Sequence, residues 1–419
     1  MAAKCYLNMI PSSLFLFLSI LVHVSAGPLP PRSFDVIKYG AVANGRTDST
    51  RAFLRAWEDA CAYHGRSRVR IPEGTYLLGS VSFEGPCNGS MTFLIKGTLK
   101  APTDPGKFFT DTWIGFRYLE KLTVKGGGYL DGQGAAAWGY NDCHKNPDCK
   151  PLPATLRFDF VRNSKVQYLR SINSKNSHIN IFACYNMDIS YIRLSAPAHS
   201  PNTDGIRIGS STRIKISRAV ISTGDDCISM VSGSQNIDIS DVSCGPGHGI
   251  SVGSLGRSHQ HEYVTGISVR NCTFIGSDNG VRIKTWAPSL YSLASNITFQ
   301  DIAMISVHNP IVIDQQYCPL AQCQEGDSAV QIENVMFKNI WGISSTQVAV
   351  NLKCSGALPC KNVKIININL AYKGRGGRQK PCVRMCWDLL MEDRSPPAVY
   401  SCFSFCFACS NYSFTRSLT

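Results

Sequence analysis

Apolar residues between positions 200 and 285 come as short alternating pairs, not as helical stripes. Asp204-Gly205-Ile206-Arg207-Ile208 is followed 22 residues later by Asp226-Cys227-Ile228-Ser229-Met230, and 22 after that by His248-Gly249-Ile250-Ser251-Val252. A fourth copy, Asn279-Gly280-Val281-Arg282-Ile283, begins 31 residues further on. A second series runs alongside it through Met187/Ile189, Ile214/Ile216, Ile237/Ile239, Ile267/Val269 and Ile297/Phe299. Alternation with a period of two marks half-buried strands, so each repeat holds at least two. Short strands at a fixed period, split by Gly, Ser, Asn and Asp, predict a solenoid whose coils bury their inner faces only against neighbouring coils. The spacing predicts an all-β chain folded as a single-stranded right-handed parallel β-helix. It lacks the L-x-x-L-x-L spacing of leucine-rich repeats and the four-strand period of about 40 that a propeller needs.

In such a stack, equivalent residues of successive coils lie about 4.8 Å apart. Asp204, Asp226 and His248 therefore form a column. Strand alternation turns Ile206 and Ile208 inward and Arg207, Arg282 and Lys284 outward. Three positions beside the column are Gly205, Gly249 and Gly280, which predicts a trough there. By parity Asp204 and Asp226 would face the core, where an unpaired carboxylate is very costly. Their Asn-Thr-Asp-Gly and Thr-Gly-Asp-Asp contexts are rich in turn formers, so a bend should carry both acids to the trough's edge.

Composition adds a compartment. Lys4 precedes an apolar run, Leu14 to Val22, that ends at Val24-Ser25-Ala26. This is the pattern of a cleaved leader over residues 1–26, and it falls well short of the roughly 20 residues a spanning helix needs. Four N-x-S/T sites (Asn88, Asn271, Asn296, Asn411) and 18 cysteines fit an oxidising, extracellular setting. Loss of Cys5 with the leader leaves an odd number, and no paired C-x-x-C spacing suggests zinc. The net charge of +13, one less without Lys4, calls for a polyanionic partner. The basic residues are scattered, with no arginine-rich run or helix-turn-helix pattern, which argues against nucleic acid. An anionic extracellular polysaccharide fits better.

Asp204, Asp225 and Asp226, placed within two coils, repel one another, and the easiest relief is for one to keep its proton while the others ionise. Glycoside hydrolysis needs such a division: one carboxyl protonates the leaving oxygen while another activates water or attacks the sugar. Turn capping or calcium binding is the structural alternative for an aspartate cluster. His248, in register with two acids, suits tuning of a neighbouring proton or contact with sugar. Arg282 and Lys284 supply cations for an acidic sugar.

The same residues carry a family likeness. "NTDG" (Asn202 to Gly205), "GDDC" (Gly224 to Cys227), "GPGHG" (Gly245 to Gly249) and "RIK" (Arg282 to Lys284) resemble, in order and spacing, the signature segments of the polygalacturonases, glycoside hydrolase family 28. The likeness runs from about Phe34, in "FDVIKYGAVANGRTDST", to about Leu370. It implies hydrolysis of α-1,4 bonds in polygalacturonate with inversion and without a cofactor or metal. It implies Asp225 as proton donor, Asp204 and Asp226 as the pair activating water, and His248 as the catalytic histidine. Asn202, Arg282, Lys284 and Tyr317, the last in "QQYC", are implied as substrate ligands. The wording "GPGHGISVGSLGR" and "DNGVRIKTW" is most similar to plant exo-acting members, which favours removal of terminal galacturonate over internal cleavage.

Within this likeness Cys227–Cys244, Cys354–Cys360 and Cys318–Cys323 are the expected disulfides. The β-helix domain is expected over residues 27–381. Residues 382–419 depart from the family's ending, showing no coil repeat and five cysteines, and are expected to form an atypical tail. A secreted, monomeric enzyme of the cell wall is the leading reading. A non-catalytic pectin-binding β-helix would have lost one of the acids or His248, and a lyase would want a calcium site with a basic catalyst.

Overall fold

A computed structural model describes residues 30–141, 149–258, 260–319, 323–374, 377–379, 382–388 and 400–406. The expected leader and Asn411 lie outside the described residues, as does most of the tail. The chain winds into a parallel β-helix with two sheets, one of 19 strands (the long sheet) and one of 12 (the short sheet). The register read from the sequence is the register found. In the short sheet Ile206 pairs with Ile228, Ile228 with Ile250, and Ile250 with Val281. In the long sheet Met187, Ile214, Ile237, Ile267 and Ile297 follow one another coil by coil.

These isoleucines point inward and are fully buried. Like side chains stacked at strand spacing fill the axis, and each buried aliphatic side chain contributes roughly 1.5–3 kcal/mol over leaving it exposed. Aromatic residues take over the core of the first coils: Phe116 stacks on Phe158 with centroids 5.4 Å apart, and Trp57 packs on Phe83 at 5.0 Å. Trp57 belongs to the helix Thr50–Ala62, whose buried face of Phe53, Ala56, Trp57 and Ala60 seals that end of the solenoid. The Cys61–Cys87 disulfide ties the helix to the coil beneath it.

A coil has one more segment than the two series suggested. Thr212–Ser222 is a single long strand that turns a corner at Arg218, which has a left-handed backbone with φ 52°. The corner recurs in later coils at Asp241, Asn271, Asp301, Asn339 and Asn367, all with φ between 51° and 56°. Asn and Asp tolerate this conformation better than most residues, so one residue can redirect the chain without a loop.

At the far end, Cys382–Asp388 adds a parallel strand in register on Val348–Lys353, and Tyr400–Cys406 pairs with it antiparallel. Coil stacking therefore extends past residue 381, into the segment that showed no repeat. The three foreseen disulfides, Cys227–Cys244, Cys318–Cys323 and Cys354–Cys360, are all formed.

Candidate active site

Each coil enters the short sheet through a turn, and these turns carry the candidate chemistry. Asp204 ends one turn, Asp225 and Asp226 lie in the next, and His248 follows in the third. The first two are stitched together, with Gly224 N–H donating to Thr203 Oγ1 at 2.9 Å. The third joins them through His248 N–H, which donates to the Asp225 carbonyl at 2.9 Å. The Cys227–Cys244 disulfide clamps the same neighbourhood.

The inferred bend is present. Asp204 is only 7% exposed, yet its Oδ2 accepts from Ser229 Oγ at 2.9 Å on the outer face of the next coil. Asp226 Oδ1 accepts from Ser251 Oγ and from Arg282 Nη2, both at 2.8 Å, while Oδ2 accepts from Lys284 Nζ at 2.7 Å. Both acids thus lie against the outside of the short sheet, away from the isoleucine column.

The glycines have a different purpose from the one foreseen. A Cβ on Gly205 would come within 2.4 Å of the Cys227 carbonyl oxygen, and one on Gly249 within 2.3 Å of the Gly280 carbonyl oxygen. One on Gly280 would meet Pro310 O and Met304 Cε at 2.4 Å. Their missing side chains let turns stack closely; they do not hollow out a trough. In register between Arg207 and Arg282 stand Ser229 and Ser251, both buried and each donating to one of the acids above it.

The charges separate as the crowding argument requires. Burial, followed by the charges of Asp225 and Asp226, pushes the Asp204 carboxyl up to about 7. Burial would do the same to Asp226, but the Lys284 ammonium and the Arg282 guanidinium outweigh it and hold that carboxyl below its ordinary range. In mildly acidic solution the proton therefore stays on Asp204 and the charge on Asp226. Asp225 is the most open of the three, with its side chain 21% exposed.

His248 Nδ1 lies 3.1 Å from Asp225 Oδ1, and that hydrogen bond raises the imidazole above its ordinary value. Its Nε2 lies 3.5 Å from Asp278 Oδ2, so two carboxylates flank one ring. Sequence reasoning missed Asp278; its only signal was its place just before the fourth repeat. Tyr317 is brought to the cation pair, with its ring centroid 5.1 Å from Lys284 Nζ and 5.8 Å from the Arg282 guanidinium carbon. Asn202 reaches Asn141, whose Nδ2 donates to its Oδ1 at 2.8 Å.

Oxygen and nitrogen atoms of Asp225, Asp226 and His248 come within 4.8 Å of one another, close enough to hold a metal ion. Arg282 and Lys284 already supply two positive charges at Asp226, which disfavours adding another.

A profile described as "Glycosyl hydrolases family 28" matches residues 61–386. The chain belongs to this family. It is 48% identical over 346 residues to an exopolygalacturonase of Platanus acerifolia, covering 82% of this chain and 91% of the relative. It is 43% identical over 382 residues to a polygalacturonase of Gossypium barbadense, covering 91% and 93%. Among solved structures, an exopolygalacturonase of Thermotoga maritima aligns with TM-score 0.70 at 20% identity, covering 84% of this chain and 94% of that one, a likeness of fold. In this family 28 chain the turns bring the three acids, the histidine and the cation pair together.

Proposed function

We propose that the chain is a secreted polygalacturonase that hydrolyses α-1,4-galacturonosyl bonds of pectin from a chain end, with inversion, as a monomer in the cell wall. The observation that carries this reading is the convergence of Asp204, Asp225, Asp226 and His248 beside Arg282 and Lys284. The family and the names of its plant relatives support the substrate class. Among the described residues, no helix is long and apolar enough to cross a membrane.

In this mechanism the carboxylate of one galacturonate binds at Arg282 and Lys284, with Tyr317 against its ring. Sharing those cations with Asp226 makes Asp226 a better base once substrate is seated. Asp225 protonates the leaving oxygen and is resupplied by the imidazolium of His248. Oxygens of Asp225 and Asp226 approach within 4.8 Å. This is a nearest-atom distance and does not measure the separation of the carboxyl groups that distinguishes inverting from retaining sites; the family likeness assigns the attacking water to Asp226 together with Asp204.

Exo action needs one end of the cleft closed. The connection from Asp131 to Ala154 is far longer than the one that follows it, from Ile172 to Ile179. Its described part folds over that shorter turn, with Gly134 N–H on the Asn173 carbonyl at 2.7 Å and Trp138 Nε1 on the Ser174 carbonyl at 3.0 Å. It ends with Asn141 on Asn202, two residues from Asp204. A wall at that position leaves the polymer free to extend only toward Arg282 and the later coils.

Incubation of the purified protein with polygalacturonate, with products sized over time, tests the reading. Monomer from the earliest points, released first as the β-anomer, is the expected result. A ladder of oligomers overturns exo action, an ultraviolet-absorbing product reveals elimination, and absence of cleavage overturns hydrolysis.

A further inference from the structure

On the long sheet, in the coil that joins Asp204 to Asp225 and in the two coils before it, stands a dense set of bare cations. Arg162, Arg170, Arg193, Arg213, Lys215 and Arg218 are all exposed: Arg170, Arg193 and Arg218 lie around the corner residues Tyr168, Tyr191 and Arg218, while Arg162, Arg213 and Lys215 lie toward the other end of the same strands. Among the described residues, none of the six has a carboxylate within ion-pair reach. In the cleft, by contrast, Arg282 and Lys284 are both paired with Asp226.

The cations are held in place. Arg170 donates to Tyr129 Oη at 2.6 Å and Arg213 to Tyr185 Oη at 2.6 Å, each also lying over its tyrosine ring. Arg218 lies over the Tyr191 ring at 5.1 Å, and Tyr191 stacks on Tyr168 at 4.8 Å. Arg170 and Arg193 are in register in adjacent coils, which spaces their backbones by about 4.8 Å.

The acids nearby do not cancel this charge. Asp188 stands in register between Lys165 and Lys215 and is one acid against both. Glu120, beside Arg162, faces Lys121 and accepts from Asn163. Asp238 is paired with Arg270, and Asp241 accepts from Asn271. The corner column itself changes from Arg218 to Asp241 and Asp301 in later coils, so the basic ridge is confined to this part of the solenoid.

We infer that this ridge is a second binding site for acidic polysaccharide, separate from the cleft. A polymer with one carboxylate per sugar offers a regular row of charges to cations fixed at strand spacing, and tyrosines among the arginines offer contact to the apolar faces of sugar rings. The ridge runs along the long sheet while Arg282 and Lys284 stand on the short one, so a chain bound there is held beside the enzyme without entering the active site. Only the identity of the polymer, polygalacturonate, rests on the proposed function.

The test uses the Asp225→Asn protein, so that the matrix survives, and measures its retention on cross-linked polygalacturonate with saturating trigalacturonate present to fill the cleft. The expected result is retention that weakens steeply with salt. Adding Arg170→Gln, Arg193→Gln, Arg213→Gln and Arg218→Gln should lower it at least ~10-fold, since each removes a charge from a polyanion contact. In the otherwise native enzyme the same four changes should leave trigalacturonate turnover unchanged. Should the fourfold variant fold poorly by thermal melting, the Lys215→Gln/Arg218→Gln pair should give a smaller loss in the same direction. Unchanged retention in the fourfold variant, or in the pair if that is the form measured, overturns the inference. So does release by trigalacturonate, equal retention on fully methyl-esterified matrix, or binding to phosphatidylserine vesicles in place of the polysaccharide. A wild-type enzyme that fails to cleave trigalacturonate would instead overturn the hydrolase reading, leaving the retention result to decide the ridge.

Discussion

Two columns run side by side through the same coils, two residues apart. Ile206, Ile228 and Ile250 stack inside; Asp204, Asp226 and His248 stack outside. Repetition suits the first, because each added isoleucine removes more apolar surface from water. It burdens the second, because each added acid raises the energy of the others. The acid column persists only because its members are made unlike: Asp204 holds its proton to higher pH than an ordinary carboxyl, Asp226 is held by two cations, and His248 takes up charge of the opposite sign. One column therefore measures stability, and the other measures chemistry.

The largest effect should come from Asp225→Asn, which keeps the shape but removes the transferable proton. We expect kcat to fall by about 10²–10⁴-fold or more with polygalacturonate binding nearly intact, measured by reducing-end release and by binding of trigalacturonate. Wild-type-like turnover would refute the assignment.

Next, Lys284→Ala should raise KM for charged substrate and spare methyl-esterified chains. It also leaves Asp226 with one cation, and breaking such a buried pair costs about 3–5 kcal/mol, seen as a lower Tm. Adding Asp226→Asn should recover much of the stability and none of the activity, separating the two columns in one experiment.

Inside, Ile228→Ala should cost about 2–5 kcal/mol by urea unfolding while kcat and KM stay near wild type well below the Tm. A collapse of activity without a loss of stability would show that the columns are not separable.

The smallest effect should be that of Asp278→Asn. The raised imidazole keeps its proton to higher pH than an ordinary histidine, so activity should fall on the alkaline side as that proton is lost. Removing one flanking carboxylate should move this limb to lower pH. The shift should be under about one unit, because Asp278 has a side chain 71% exposed and is well screened. An unmoved limb would leave Asp225 as the sole partner of His248.

Much of this was legible in the chain itself. A period of 22 residues with alternating isoleucines contains the register, and the register places the acids in one column. What escaped notice were features without periodic signal. The corners use Arg, Asp and Asn in a left-handed conformation that glycine usually marks, so a bend looked like uninterrupted strand. The glycines beside the acids resemble open space in sequence, which shows an absent side chain and not the carbonyl that excludes it. Arg282 and Lys284 were placed outward correctly, but their reach back to Asp226, more than fifty positions earlier, depends on three-dimensional stacking. Asn141 against Asn202 is a contact of the same kind.

The single-residue corners also decide where this architecture can vary. An extra residue at Arg218 or Asp241 would break the register of every neighbouring coil, whereas the turns leading into the short sheet already range from a few residues to the long connection before Ala154. Length changes are thereby channelled to the rim of the catalytic surface, so that divergence among related enzymes should remodel what is admitted and leave the scaffold alone.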